Sequence, residues 1–341
     1  MKAVLFHEYG GVDKLVYEDI ATPEPGFGEV LVEIKAAGVN HFDHDIREGI
    51  SRIERSLPHI PGIEGAGVIA ALGPGVTQAT VGERVVIYTQ GCGTCRNCLA
   101  GREHNCHGPE RHGITIWGSY AEYVKVRQHR LVRMPDALDF ERAAATALCY
   151  GTSWNMIVER AGIEAGETVL VNAAGSGIGS AAVQIAKLHG TRVIASAGSD
   201  AKLDQAREIG ADEAINYTDQ NLFEEVMRLT DGEGVDLAVE SVGGEVFQHS
   251  MRALRSNGRL VTCGAHAGER VEFDIIELFR KPVTLYGNHF GPRRVVDRVL
   301  NLVADGKLHP VIHGKWPLSE AREAATRAAD RSFFGQMILI P

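Results

Sequence analysis

Four thiols fall within fifteen residues, in the pattern Cys92-x2-Cys95-x2-Cys98-x7-Cys106. Tetrahedral zinc takes four soft ligands about 2.3 Å from the ion, and short Cys-x2-Cys hooks let one loop wrap round it. Four thiolates leave no open position, so the expected site is structural: one Zn2+ per chain holds a lobe and does no chemistry. Disulfides and an iron–sulfur cluster are the alternatives. Because the cysteines complete the tetrahedron, His104, His107 and His112 are expected to face solvent.

A second constellation mixes amide, imidazole and carboxylate groups: Asn40, His41, Asp43, His44 and Asp45, followed by His59 and Glu64. Such groups can hold or move a proton at a reacting oxygen, or ligate a metal. The plainer alternative is a polar helix face over His41–Arg47, opened by Asn40 as its cap. A third feature lies between Glu167 and Lys187. A β-branched and apolar run, Thr168–Val171, reads as a buried strand. It breaks into small residues from Ala173 to Gly179 and resumes with helical spacing at Ile178, Ala182, Ile185 and Ala186. Strand, glycine turn and helix aim a helix N-terminus at a phosphate. The string Gly175-x-Gly177-x-x-Ser180 is weak alone and strong in that setting, marking Gly175, Ser176, Gly177, Ile178 and Gly179 as a dinucleotide turn.

The elements that must position these groups change character along the chain. Up to about residue 135 the pattern is short β-branched runs broken by Gly and Pro: Ala3–Phe6, Leu15–Glu18, Val30–Ile34, Gly67–Leu72, Arg84–Ile87 and Tyr120–Val126. That predicts a β-barrel-like domain with few helices. After an Ala-rich helix at Glu141–Leu148, strands and helices alternate. Strands are expected at Thr168, Arg192–Ala195, Ala214–Asn216, Val235–Val239, Arg259–Val261 and Val283–Leu285. Helices are expected at Lys202–Ile209, Leu222–Leu229, Val246–Leu254 and Ile275–Phe279. Repeated βα units imply a parallel, doubly wound sheet, so the fold class is α/β. Two helices, Arg294–Ala304 and Ser319–Ala329, and a strand, Gln336–Ile340, close the pattern.

The 341 residues suffice for two domains, and a net charge of −9 argues against nucleic acid or an anionic membrane as partner. No apolar run reaches the roughly 18 residues needed to span a bilayer. The N-terminal run is too short for a signal peptide, and the clustered cysteines do not resemble a disulfide framework, so a cytoplasmic location is expected.

A β-rich first part carrying the four-cysteine lobe, followed by the dinucleotide turn, resembles the medium-chain dehydrogenase/reductase superfamily over essentially the whole chain. The resemblance rests on Gly28–Glu33, Gly38-Val-Asn-His-Phe-Asp43, Pro61-Gly-Ile-Glu-Gly-Ala-Gly67, Gly82-Glu-Arg-Val85, the cysteine lobe and Ala173–Lys187. It implies a GroES-like catalytic domain of residues 1–136 with 286–341, and a Rossmann NADP-binding domain of residues 137–285. It also implies an active site in the cleft between them, and a homodimer or homotetramer. Zinc alcohol dehydrogenases have Cys where Asn40 stands and His where Ile63 stands. Asn is a poor zinc ligand and Ile is none, so the catalytic zinc is expected to be absent. The resemblance to quinone- and enoyl-reductase members, which share Asn here, places Asn40 beside the nicotinamide. It also brings Thr152 close to that ring; beside it, Asn40, His41, His44, Tyr150 and His289 are the polar residues that could donate to a developing oxygen, with Asn40, His41, His44 and Thr152 as the catalytic candidates.

In NAD-preferring domains an acidic residue about 20 positions past the turn holds the ribose 2′-hydroxyl. That position is Ala197, so no carboxylate repels a 2′-phosphate. Ser199 can donate to that phosphate and Lys202 can offer charge. Asp200 is expected to cap the helix that follows. The resemblance adds Tyr217 as a flanking residue and supports NADPH. The remaining cofactor candidates follow the later strands: Val242, Gly243, Cys263, Gly264, Asn288 and His289. The expected function is transfer of hydride from NADPH to an activated C=C, enone or quinone. The alternatives are a zinc alcohol dehydrogenase with a rearranged ligand set (His44, His59, Glu64) and a non-catalytic NADPH-binding redox sensor.

Overall fold

A computed structural model describes all 341 residues. The chain divides into two compact units, residues 1–148 with 292–306 and 310–341, and residues 149–291 with 307–309. Helix Phe140–Ala147 therefore belongs to the first unit, and residues 286–291 belong to the second, where the sequence reading had put both on the other side.

The first unit begins with a two-stranded ribbon, β1 (Lys2–Leu5) and β2 (Val16–Asp19). Strand β3 (Glu29–Val39) is the spine of a larger sheet. It alternates buried and half-buried residues as far as Lys35, then runs into small residues that are all buried. That second half is sandwiched on both faces, which only Ala, Gly and Val side chains permit here. Helix α1 (His41–Glu48) follows directly. The chain continues through β4 (Glu64–Leu72), β5 (Arg84–Ile87), the four-residue α2 (Arg96–Leu99), β6 (Tyr123–Arg127), β7 (Leu131–Arg133) and α3 (Phe140–Ala147). Asp139 caps α3, its carboxylate accepting from Arg142 N at 2.7 Å.

The second unit opens with α4 (Cys149–Trp154), which passes without a break into a π-helical stretch, Asn155–Arg160. Six parallel strands follow, β8 (Thr168–Val171), β9 (Arg192–Ala197), β10 (Glu213–Asn216), β11 (Val235–Glu240), β12 (Leu254–Thr262) and β13 (Thr284–Gly287). Between them lie α5 (Gly177–Leu188), α6 (Asp200–Glu208), α7 (Leu222–Leu229), α8 (Gly244–Arg252) and α9 (Ile275–Arg280). The strand order β10-β9-β8-β11-β12-β13 is doubly wound, with its reversal between β8 and β11. Apolar side chains of β8–β12, with those of α7, make its core.

The chain then returns to the first unit with α10 (Arg293–Ala304), β14 (Ile312–Pro317), α11 (Ala321–Ala329) and β15 (Gln336–Ile340). Strand β15 slots between β14 and β3, giving the order β14-β15-β3-β4-β5-β7, with β6 also paired to β3. No helix is long and apolar enough to cross a membrane.

Candidate functional site

The cysteine lobe has the geometry its spacing implies. The Sγ atoms of Cys92, Cys95, Cys98 and Cys106 all lie within 4.8 Å of one another. Cys95 N donates to Cys92 Sγ at 3.3 Å and Gly108 N to Cys106 Sγ at 3.2 Å. Four converging sulfurs fit a tetrahedral ion with no open position, and these residues would hold structural zinc. The histidines nearby depart from expectation. His107 is exposed, but His104 and His112 are buried. His112 is packed in the barrel with Nε2 2.7 Å from Ser119 Oγ, and burial pushes its pKa down to about 3. It serves the fold because the chain turns inward after Cys106.

The polar cluster near Asn40 is built by three neighbouring strands. Asn40 directly follows β3, Glu64 begins β4 and Gln336 begins β15, and the order β15-β3-β4 brings them to one end of the sheet. Asn40 Nδ2 donates to Glu64 Oε2 at 3.1 Å, and Gln336 Nε2 donates to that oxygen and to Asn40 Oδ1, both at 3.2 Å. Leu148 N donates to Glu64 Oε1 at 2.6 Å. Gly38 leaves the room, since a Cβ there would stand 2.5 Å from Glu64 Oε2. Burial raises the Glu64 pKa to about 8 against the pull of these donors, with Asp43 adding repulsion.

Asp43, also buried, accepts from Asn40 N, Gly62 N, Ile63 N and the Tyr120 hydroxyl. Its role is to tie the start of α1 to the loop before β4, and burial raises its pKa to about 6. Asn40 is thus the cap residue of α1 as expected, while its carboxamide is turned to Glu64 and Gln336.

The two candidate histidines sit on α1. His41 Nε2 is 3.6 Å from Asp45 Oδ1, and its ring is 5.5 Å from that of His44. Arg47 Nη2 lies 2.6 Å from His44 Nδ1; a guanidinium only donates, so the ring proton is on Nε2, 3.1 Å from Glu48 Oε2. Burial and then Arg47 lower the His44 pKa, keeping the ring neutral with both nitrogens engaged. The rearranged ligand set His44, His59 and Glu64 does not converge. His59 is buried against Phe6 with Nε2 3.1 Å from Gly113 O, and the three do not form a common ligand cluster.

In the second unit the expected cofactor residues gather at the carboxyl edge of the parallel sheet. After β8, Ser176 caps α5, its Oγ accepting from Gly179 N at 2.9 Å. A Cβ on Gly179 would overlap Ala173 O, so the chain can turn this tightly only with glycine there. Gly177 and Ile178 open the helix, where amides lack intrahelical acceptors and suit a phosphate. After β9, Ala197 is buried, and Ser199 with Lys202 lies at the start of α6, beside Tyr217 at the end of β10. The Tyr217 hydroxyl would be 3.3 Å from a Cβ placed on Gly198. Asp200 is the first helical residue rather than the cap, and its carboxylate accepts from Asn216 Nδ2 at 2.9 Å.

After β11, the buried Glu240 carboxylate accepts from Val242 N and Gly243 N, and from Thr262 Oγ1 on β12. It shapes the turn that carries Val242 and Gly243, next to Cys263 and Gly264. Asn288 and His289 follow β13, and Thr152 is buried on α4. Tyr150, another candidate donor, is spent internally on His309 O and Gln184. Glu240, Gln336, Tyr120 and Asn155 were not singled out from the sequence. Gln336, Tyr120 and Asn155 pair with residues far away in the chain, and Glu240 joins its own turn to Thr262 on the next strand, pairings that no local pattern marks.

Comparison with known proteins places these arrangements. Residues 26–136 match the alcohol dehydrogenase GroES-like domain and residues 177–305 the zinc-binding dehydrogenase family. An alcohol dehydrogenase of Geobacillus stearothermophilus is 32% identical over 341 residues, covering 99% of each chain. A quinone oxidoreductase of Pseudomonas aeruginosa is also 32% identical, covering 100% of this chain and 99% of the relative. A crystal structure described as an NAD-dependent alcohol dehydrogenase is 39% identical, superposes with a TM-score of 0.95 and covers 100% of both chains. With one GroES-like unit and one doubly wound unit matched over nearly its whole length, the chain belongs to the medium-chain dehydrogenase/reductase superfamily, as an oxidoreductase of the alcohol dehydrogenase/quinone oxidoreductase type.

Proposed function

We propose that the chain is an NADPH-dependent reductase acting on an activated C=C, enone or quinone without a catalytic zinc. The observation that carries this reading is the Asn40–Glu64–Gln336 network. At the position where the zinc-using resemblance calls for a thiolate, a carboxamide is held by a buried carboxyl and a second amide, and Ile63 is wholly buried. Neither is a donor set for a Lewis acid. NADPH, when bound, supplies hydride; a conjugated acceptor carries its own electron sink, so hydrogen-bond donors suffice to stabilise the enolate or hydroquinone oxygen. The Asn40 amide and His41 are the donors we assign to that oxygen, and Thr152 to the nicotinamide side. Ala197, Ser199, Lys202 and Tyr217 support NADPH over NADH, since they offer a 2′-phosphate a hydroxyl and a cation, with no carboxylate at position 197.

The zinc stays with the four cysteines. Residues Ile275, Phe279 and Leu285, exposed on α9 and the edge strand β13, support a homodimer or homotetramer as part of the same reading. The test is NADPH oxidation over a panel of enones, quinones, aldehydes and ketones, together with metal analysis. One zinc per chain and enone or quinone turnover that survives mild chelation are expected. Two zincs per chain with chelator-sensitive alcohol oxidation would overturn the proposal in favour of a zinc alcohol dehydrogenase. NADPH binding with no turnover of any acceptor would favour the redox-sensor reading.

A further inference from the structure

The segment after β13 follows a path it could not hold alone. Phe290 has φ +52°, a left-handed conformation costly for an aromatic residue, and a Cβ on the next residue, Gly291, would overlap Gly151 O on α4. Such a path persists only where its surroundings determine it. Asn155 does so. Its Nδ2 donates to Asn288 Oδ1 at 2.6 Å and to Phe290 O at 3.0 Å, using both amide hydrogens. Asn288 Nδ2 adds a bond to Phe290 O at 3.3 Å, and Asn288 N continues the sheet ladder to Thr262 O at 2.8 Å. Asn155 is 3% exposed, so these bonds form away from competing water.

The backbone that carries Asn155 is itself unusual. Residues 155–160 are π-helical directly after α4, with Ala161 N bonded to Met156 O, a five-residue step. One extra residue in a helical turn rotates the side chains that follow out of their regular positions, and such bulges recur at functional sites. Here the rotation starts at the residue that reaches across to Asn288 and Phe290. The same helix carries Thr152 three residues earlier.

We propose that Asn155 is a positioning residue for the nicotinamide half of the dinucleotide: it fixes the strained 288–291 segment, and so Asn288 and His289, against the helix bearing Thr152. This rests on the cofactor reading above, but not on the choice between NADPH and NADH. The adenosine half, held at the ends of β8, β9 and β10, is independent of it.

The test uses the full-length Asn155→Asp variant, which keeps size but sets an acceptor against Asn288 Oδ1 and Phe290 O, and Asn155→Ala beside it. Calorimetry would compare NADPH with adenosine 2′,5′-bisphosphate, which lacks the nicotinamide. Both variants are expected to weaken NADPH about tenfold or more, the scale of one or two lost hydrogen bonds, and to leave the bisphosphate within about twofold. Amide exchange of residues 288–291 is expected to quicken in the ligand-free variants. If the two ligands weaken equally, or neither does, Asn155 has only a general structural role or none, and the inference falls. If the wild-type chain prefers NADH, the same comparison runs with NADH against ADP. Binding of neither dinucleotide by the wild type overturns this inference and the proposed function together. Normal binding with no turnover overturns only the function.

Discussion

Glu64→Gln tests the buried network most directly. Glu64 is 1% exposed, and its three hydrogen-bonding partners, Leu148 N, Asn40 Nδ2 and Gln336 Nε2, are neutral amides. Burial dominates, raising its pKa from 4.5 to about 8. An acid with a raised folded-state pKa stays protonated in the native chain while the unfolded chain ionises. Stability from this group is therefore complete below about pH 4.5 and declines as pH rises to about 8, above which it changes no further. Each pKa unit is worth about 1.4 kcal/mol, so the full loss is on the order of 5 kcal/mol. Glutamine cannot ionise, and in Glu64→Gln that part of the slope disappears. Asp43, raised to about 6 by burial, remains in both proteins and contributes to both curves. Denaturant unfolding of wild type and variant at intervals from pH 5 to 8.5 measures the difference. The variant is expected to gain several kcal/mol relative to wild type between the ends of that range. Parallel stability curves would refute the reasoning, because they would mean that Glu64 ionises in the folded chain as it does in water.

Two further outcomes follow from the sites described. Cys95→Ser should lower bound zinc from one per chain to none and lower the thermal midpoint, while NADPH affinity stays within about twofold, read by metal analysis, calorimetry and a melting scan. Lys202→Ala should weaken NADPH about tenfold and leave NADH unchanged in paired titrations, as expected for the loss of one cation at a 2′-phosphate.

Local pattern carried much of this architecture. The strand over Arg84–Ile87, the helix over Leu222–Leu229 and the closing strand Gln336–Ile340 have the limits that periodicity implies. The strand–turn–helix over Thr168–Leu188 was legible because strand, small residues and helix are contiguous. Strand β3 runs five residues past the expected Ile34, because its Ala-rich end carries no alternation once both faces are covered. The π stretch at Asn155–Arg160 also lacks a periodic signature, and strand β14, although it alternates in burial, carries Gly314 and Pro317, which read as turn residues. His104 and His112 were misplaced because spacing from a cysteine cluster says nothing about which way the chain turns afterwards. The partners of Asn40 were illegible for a related reason: Glu64 is 24 positions away and Gln336 is 296, and only the register of three strands brings them together.

That last separation has a consequence for how the protein is made. On a ribosome, Asn40 and Glu64 emerge long before Gln336, and β3 waits for most of synthesis with the edge later taken by β15 unpaired. The six strands of the second unit all precede β15 and can assemble while the first unit remains incomplete. During that interval an exposed, apolar strand edge is open to pairing with another nascent chain. Chaperone demand and aggregation during expression should therefore track the time taken to translate residues 149–335, rather than the stability of the finished fold.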